Sequence, residues 1–306
     1  MRVLITGGTG FVGRHLSARL MRDGHQVTVL TRGSPRASGP HSPAFLQGDP
    51  TRPGKWQDAV PQQDLLINLA GTSIFGRWTS DYKEELRLSR ILTTRNLVEA
   101  IAQGGSTSLL STSAVGYYGF HGDEELEESS PPGRDFLAQL AVDWEAEATA
   151  ALRKGARVVI MRFGIVMGRS GGALQQMITP FRWFVGGPIG SGRQWFSWIH
   201  VEDLVEAVCH LAGRGDLSGP FNLTSPRPVR NKEFSAALGK ALGRPSWLPA
   251  PGFMIRLVLG EFGSVILQGQ RVLPKRLMES GFQFKHVDVV TALGDLLAPG
   301  REPHHG

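Results

Sequence analysis

Short apolar runs rich in β-branched residues alternate along the chain with stretches in which apolar residues recur at helical spacing. RVLIT comes first, followed by a helical pattern from about Phe11 to Arg22. QVTVLT, AFLQG and DLLINLA come next, then a long helical pattern from about Asp81 to Gln103 and the run TSLLST. This is the rhythm of parallel βαβ units. The strands are apolar on both faces, so helices are expected on both sides of a doubly wound parallel α/β sheet, which places ligands beyond the carboxyl ends of its strands. After Gly155, RVVIMRFGIV supplies another buried strand and PFNLT a later one.

From about Leu174 the pattern loosens into GGPIGSGRQWFSWIH, a connection rich in glycine and aromatic residues, and from about Pro245 a proline-punctuated region follows. The expected organisation is a Rossmann domain over 1–242, with insertions belonging to the smaller lobe from about 174, and a small C-terminal domain over 243–306 on the substrate side. Residues from about 243 to 297 are expected to close over the ligand end of the sheet, because no other region is left to cover it. No internal repeat or low-complexity block is present. The terminal GREPHHG reads as a frayed tail whose His304 and His305 are solvated.

A chain of 306 residues with 41% hydrophobic content can bury a large core. No run approaches the roughly 18 apolar residues that span a bilayer, and the amino terminus enters a strand pattern at once, without the features of a signal peptide, so a cytoplasmic location is expected. Cys209 is the only cysteine, which excludes an internal disulfide and a cysteine-based metal site, and no metal is expected. The net charge of +6 comes from scattered Lys and Arg with no basic stripe interleaved with aromatics, so it reads as solvated surface. The expected partner is a small-molecule substrate, with neither nucleic acid nor membrane, and with a homodimer as one open quaternary form.

ITGGTGFVGRHL sets Gly7, Gly10 and Gly13 at a strand-to-helix turn in G-x-x-G-x-x-G spacing. Gly7 allows the tight turn, Gly10 lets backbone approach a pyrophosphate, and Gly13 lets the helix pack on the sheet. The first-turn amides of Phe11, Val12 and Gly13 then face the anion. At the end of the second strand, a site for NAD would offer Asp or Glu to the ribose hydroxyls; this chain has Thr31 followed by Arg32, which suits a 2′-phosphate. Asp49 in QGDP lies where it could face an adenine, and an Asp-Pro turn explains it equally well.

GGTGFVG, NLAG at 68–71, STSAVGYYG at 111–119 and WIHVEDL at 198–204 together resemble the extended short-chain dehydrogenase/reductase superfamily. More narrowly, RWTSDYKEELRLSR, GGPIGSGRQWFSWIHVEDL and ILQGQRVLPKRLMESGF resemble its atypical epimerase-family branch, the short-chain dehydrogenase family 39U and its bacterial homologues. The resemblance implies an NADP(H)-binding Rossmann domain with a small C-terminal domain peculiar to the branch. Carried over by position, the cofactor contacts fall on Thr31 and Arg32, on Leu69 and Ala70, on Glu85 and Arg90, and on Val166. Leu69 and Ala70 end a strand where backbone approaches the ribose, and Arg90 has the reach for a hydroxyl or phosphate.

In that superfamily a tyrosine moves the proton while a lysine one turn on holds the nicotinamide ribose, the i, i+4 spacing setting both on one helix face. Here the corresponding helix is RDFLAQLAVDWEAEATAALRKG, and the two positions hold Phe136 and Leu140, neither able to move a proton. A shift by one residue offers Leu137 and Ala141, equally inert. Phe136, Leu140, Trp144 and Ala148 form a stripe expected to pack on the sheet or the cofactor, with Phe136 and Leu140 buried. Near the nicotinamide end there remain Ser113, at the superfamily's Ser/Thr position, and Tyr117 and Tyr118 just beyond. His200 is a further candidate acid or base. Arg162 reads as a structural ion-pair partner, whereas Arg182, Arg193 and Arg271 could neutralise an acidic or phosphorylated substrate. The expected activity is that of an NADP-dependent oxidoreductase or epimerase on a small carbonyl or alcohol, the alternative being a catalytically silent NADPH-binding regulatory or scaffold protein.

Overall fold

The computed structural model describes residues 1–33 and 42–298, so the tail at 300–306 lies outside the described residues. The first half of the chain comprises β1 (Arg2–Thr6), α1 (Phe11–Arg22), β2 (Gln26–Thr31), β3 (Ala44–Gln47), β4 (Leu65–Asn68), α2 (Ser80–Glu99), β5 (Ser108–Ala114), β6 (Glu125–Leu126) and α3 (Phe136–Thr149). Then come β7 (Arg157–Phe163), β8 (Ile165–Gly168), β9 (Gly171–Gly172), α4 (Ala173–Arg182), β10 (Trp195–Phe196), β11 (Trp198–His200), α5 (Val201–Gly213), β12 (Gly219–Leu223), β13 (Val229–Arg230) and α6 (Asn231–Leu242). The last stretch holds α7 (Gly252–Leu259), α8 (Glu261–Ile266), β14 (Arg271–Val272), α9 (Lys275–Glu279) and α10 (Val289–Leu297).

Seven strands form one sheet in the order β12-β7-β5-β4-β1-β2-β3, every pairing parallel. The chain winds outward in both directions from the β1–β4 junction, and that reversal of strand order opens a crevice beyond the carboxyl ends. Both faces are covered. Leu16 and Leu20 of α1 join Leu204, Val208 and Leu211 of α5 on one side, and Leu97 and Val98 of α2 join Ala148 of α3 on the other. Truncating any of these leucines to Ala should cost about 2–5 kcal/mol. Asn68, fully buried at the end of β4, is satisfied: Thr6 Oγ1 donates to its Oδ1 at 2.6 Å, and its Nδ2 donates to Thr94 Oγ1 at 2.8 Å and Ser111 Oγ at 3.2 Å.

Two expectations need correcting. The α3 stripe meets the sheet only at its far end, where Ala148 joins the core with Leu66, Leu109 and Val158; its earlier members pack on α2 and the loop before it, Trp144 donating from Nε1 to Thr94 Oγ1 of α2 at 2.8 Å and Phe136 meeting Trp78 edge-on with centroids 5.3 Å apart. Leu140 is buried while Phe136 is only half-buried, with the Lys83 ammonium 4.6 Å from its ring centroid. The C-terminal stretch is also not one compact cover. Phe262 of α8 lies in a cluster with Trp78, Phe136 and Leu140, but β14 pairs with β6, α9 packs on β12, and α10 packs on α6.

Candidate functional site

Gly7 is left-handed at φ 70, and a Cβ added there would lie 2.7 Å from the Leu69 carbonyl carbon. The β1 turn and the end of β4 are therefore in near contact at the point where strand order reverses. Gly10 is the N-cap of α1 and offers no side chain to the first turn, so the amides of Phe11, Val12 and Gly13 remain unsatisfied by the helix and available to an anion. Gly13 differs from expectation. A Cβ there would sit 2.4 Å from Gly7 O and 2.5 Å from Gly8 Cα, so its bareness lets α1 pack on the glycine turn itself.

Phe11 has a second role. Cβ atoms added at Gly168 and Gly171 would lie 2.2 Å and 2.5 Å from its ring, so the β8–β9 hairpin is free of side chains where that ring seats. This holds the hairpin, with Val166 in β8 paired to Ile199 of β11, over the amino end of α1.

At the end of β2, Thr31 Oγ1 accepts from Gly33 N at 3.2 Å, and Arg32 is exposed. Asp49 is held in a turn by Thr51, whose amide and hydroxyl donate to Oδ1 at 3.0 and 2.7 Å. Partial burial acts to raise the Asp49 pKa, but these bonds and the Arg32 and Arg52 charges outweigh it and lower the pKa. Glu85 accepts from Thr72 Oγ1 at 3.0 Å. Arg90 donates to the carbonyls of Leu86 at 2.9 Å and Thr72 at 3.0 Å and lies 5.2 Å from the Trp144 ring, with no carboxylate paired to it among the described residues. Burial without a counter-charge brings its pKa down to about 10. A half-buried guanidinium beside the NLAG turn therefore has one strong partner missing, and an anionic ligand group would supply it.

The carboxyl end of β5 carries a buried network. Ser113 Oγ donates to Glu145 Oε1 at 2.6 Å, and Arg162 clamps both oxygens of Glu145 at 2.8 Å. Arg162 also donates to Tyr118 Oη at 2.9 Å, and the Tyr118 hydroxyl donates to Asn222 Oδ1 at 2.7 Å. Burial pushes the Tyr118 pKa up to about 12, although Arg162 opposes it, so this phenol is a structural member. Burial alone would depress Arg162, yet its bonds to Glu145 hold it above the ordinary value, as the structural ion pair expected from the sequence. Tyr117 differs. The Arg162 Cζ lies 3.5 Å from its ring centroid, and its hydroxyl makes no hydrogen bond to any described residue.

His200 lies elsewhere, and its surroundings speak against a catalytic role. Its Nδ1 accepts from Glu202 N at 3.1 Å as the N-cap of α5, and its ring stacks on His286 at 3.6 Å. Burial first, and then the neighbouring His286, lower its pKa to about 4, which keeps the imidazole neutral. His200, Glu202 and His286 bring ligand-type atoms within 4.8 Å of one another. However, near-parallel rings send their in-plane lone pairs side by side, and Glu202 Oε2 is already bonded to His286 Nε2 at 2.8 Å and Lys285 Nζ at 2.7 Å. The cluster suits a lock between α5 and the C-terminal segment. Arg271 is paired with Glu125 at 2.8 Å, while Arg182 and Arg193 are exposed.

The structure thus gathers Ser113 and Tyr117 around Glu145–Arg162, and sets the glycine turn, Leu69, Ala70 and Arg90 about the β1–β4 crevice. Glu145 was missed from sequence. Its signal was indirect: Arg162 is the register partner of Ser113 on adjacent buried strands, and a buried arginine requires a carboxylate from the helix above.

A doubly wound sheet with a bare glycine turn at its switch point defines a dinucleotide-binding α/β protein. The chain matches the NAD dependent epimerase/dehydratase family over residues 3–224 and a domain of unknown function, DUF1731, over 250–296. It belongs to the NAD dependent epimerase/dehydratase family. It is 43% identical to the chloroplastic "Epimerase family protein SDR39U1 homolog" of Arabidopsis thaliana, over 96% of this chain and 86% of the relative. It is 40% identical to "Epimerase family protein YfhF" of Bacillus subtilis, over 97% and 98%. Among solved structures, human epimerase family protein SDR39U1 with NADPH superposes at a TM-score of 0.86 with 34% identity, covering 97% of this chain and 99% of that one.

Proposed function

We propose that the protein is an NADP(H)-dependent oxidoreductase or epimerase of the extended short-chain type, acting on a small carbonyl or alcohol with Tyr117 as its proton-transfer group. The bound cofactor would supply hydride transfer at its nicotinamide ring. The α1 amides and Arg90 would hold its phosphates and Arg32 its 2′-phosphate. The cofactor part of this reading is supported by the bare glycine cradle, by Arg90 lacking a counter-charge, and by the human SDR39U1 structure containing NADPH. The observation that carries the reaction is the Tyr117 hydroxyl, unbonded among the described residues, on a ring held against Arg162, while Phe136 and Leu140 are inert. A cytoplasmic location belongs to the same reading.

Tyr117→Phe should lower turnover about 10²-fold or more in a screen of carbonyls and sugar nucleotides while NADPH affinity stays within a few-fold. Full turnover in that variant would refute the assignment. The closed Ser113–Glu145–Arg162 network favours a second reading, an NADPH-binding regulatory or scaffold protein. That reading predicts tight NADPH binding with no substrate-dependent oxidation of the cofactor by the wild type.

A further inference from the structure

An exposed apolar face is built from the segment after α4 and the segment before and within α7. After α4 it contains Trp183, 76% exposed, with Phe184 and Val185; before α7 it contains Trp247, 70% exposed, with Leu248. Helix α7 completes it. Apart from Gly252 and Arg256 every residue of GFMIRLVL is apolar, yet the helix buries none of them, and Leu257 is 82% exposed. These pieces are contiguous, because Gly190 N donates to Ala250 O at 2.8 Å and Ala250 N donates to Pro188 O at 2.9 Å. Phe184 is the only non-glycine residue at positive φ among the described residues, at 60°. The backbone accepts strain there while the ring stays in water under the Arg244 guanidinium, 4.4 Å away.

Charge decides what covers this face. Residues 182–193 and 240–259 contain Arg182, Arg193, Lys240, Arg244 and Arg256 and not one Asp or Glu. All five cations are exposed. The nearest acid along the chain, Glu261, is held by Lys83 at 2.9 Å. A second copy docking symmetrically would set this wholly basic surface against itself, an arrangement that like-charge repulsion penalises. An anionic bilayer surface suits both halves of the pattern: apolar and indole groups settle at the headgroup boundary while Lys and Arg meet lipid phosphates.

We propose that this face docks peripherally on anionic lipid membranes, with α7 lying in the interfacial plane. None of the described helices is long and apolar enough to cross a membrane, so the contact is with the surface. The proposal departs from the sequence expectation of no membrane partner. The inner side of the α7–α8 pair packs by Phe262 on Trp78 near the start of α3, so docking brings that end of the sheet beside the lipid.

The test is cosedimentation of the full chain with phosphatidylcholine vesicles and with equimolar phosphatidylcholine–phosphatidylglycerol vesicles, at low and high salt. The proposal expects binding to the anionic vesicles alone, at least tenfold weaker in high salt. It expects about a fivefold loss for each arginine removed in Arg244→Gln and Arg256→Gln, and loss in the doubly substituted Trp183→Ser, Leu257→Ser chain at an unchanged melting temperature. Equal binding to both vesicles, or to neither, overturns it. So does a concentration-dependent dimer in sedimentation velocity that Leu257→Ser dissolves, which would assign the face to a second copy. The wild-type lipid and salt series decides the matter even if a variant fails to fold.

Discussion

Ser113 has one proton and gives it to Glu145, so towards any ligand it can only accept a hydrogen bond. That limits its part in catalysis: Ser113→Ala should cost turnover about tenfold, on the scale of one neutral hydrogen bond, and less than Tyr117→Phe costs. Arg162→Met tests the network differently. It would leave Glu145, whose side chain is 13% exposed, as an unpaired charge, and thermal unfolding should report a loss of about 3–5 kcal/mol. A melting temperature equal to wild type would mean that the pair is not structurally coupled. The glycine turn was legible in the sequence because spacing alone dictates where backbone must be bare. Glu145 was not, because its partner is set by how α3 lies across β5 and β7, and periodicity pointed to the neighbouring Trp144.

Among the elements, the β8–β9 hairpin and α1 are joined through one ring. Gly171→Ala should drive a methyl into Phe11, lowering both the melting temperature and NADPH affinity, and Phe11→Ala should rescue part of the loss with a coupling of about 0.5–3 kcal/mol. Additive losses would show that the contact does not position the hairpin. A second junction is set by pH. The folded-state pKa of His200, about 4, lies below the ordinary 6.5, so between these values the unfolded chain takes up a proton that the folded chain refuses. His200's contribution is thus full above about pH 6.5 and is lost as pH falls towards 4, by about 3 kcal/mol in all. Glu202, lowered to about 2 first by its bond to His286, adds a further loss below about 4.5. Lys285 and Asp295 face the same cluster. His200→Asn keeps a capping acceptor and should flatten melting temperature against pH between 6.5 and 4, whereas parallel curves would remove His200 as the cause. Strands and helices were readable because periodicity reports burial. The C-terminal segment was not, since its short helices divide between α3, β12 and α6, and no local pattern encodes that partition.

At the scale of the whole molecule, the fold retains a dinucleotide cradle while the helix that ordinarily carries the proton-transfer pair has become packing surface. The central claim is that the crevice at the β1–β4 reversal binds NADP(H) and that Arg32 reads its 2′-phosphate, since no acidic residue follows Thr31. A direct fluorescence titration of NADPH and NADH against the wild type and Arg32→Ala tests it in one experiment. The account predicts at least a tenfold preference for NADPH, about 1.4 kcal/mol, largely abolished in the variant with NADH affinity unchanged. Equal affinities in the wild type, or a preference that survives Arg32→Ala, would contradict it.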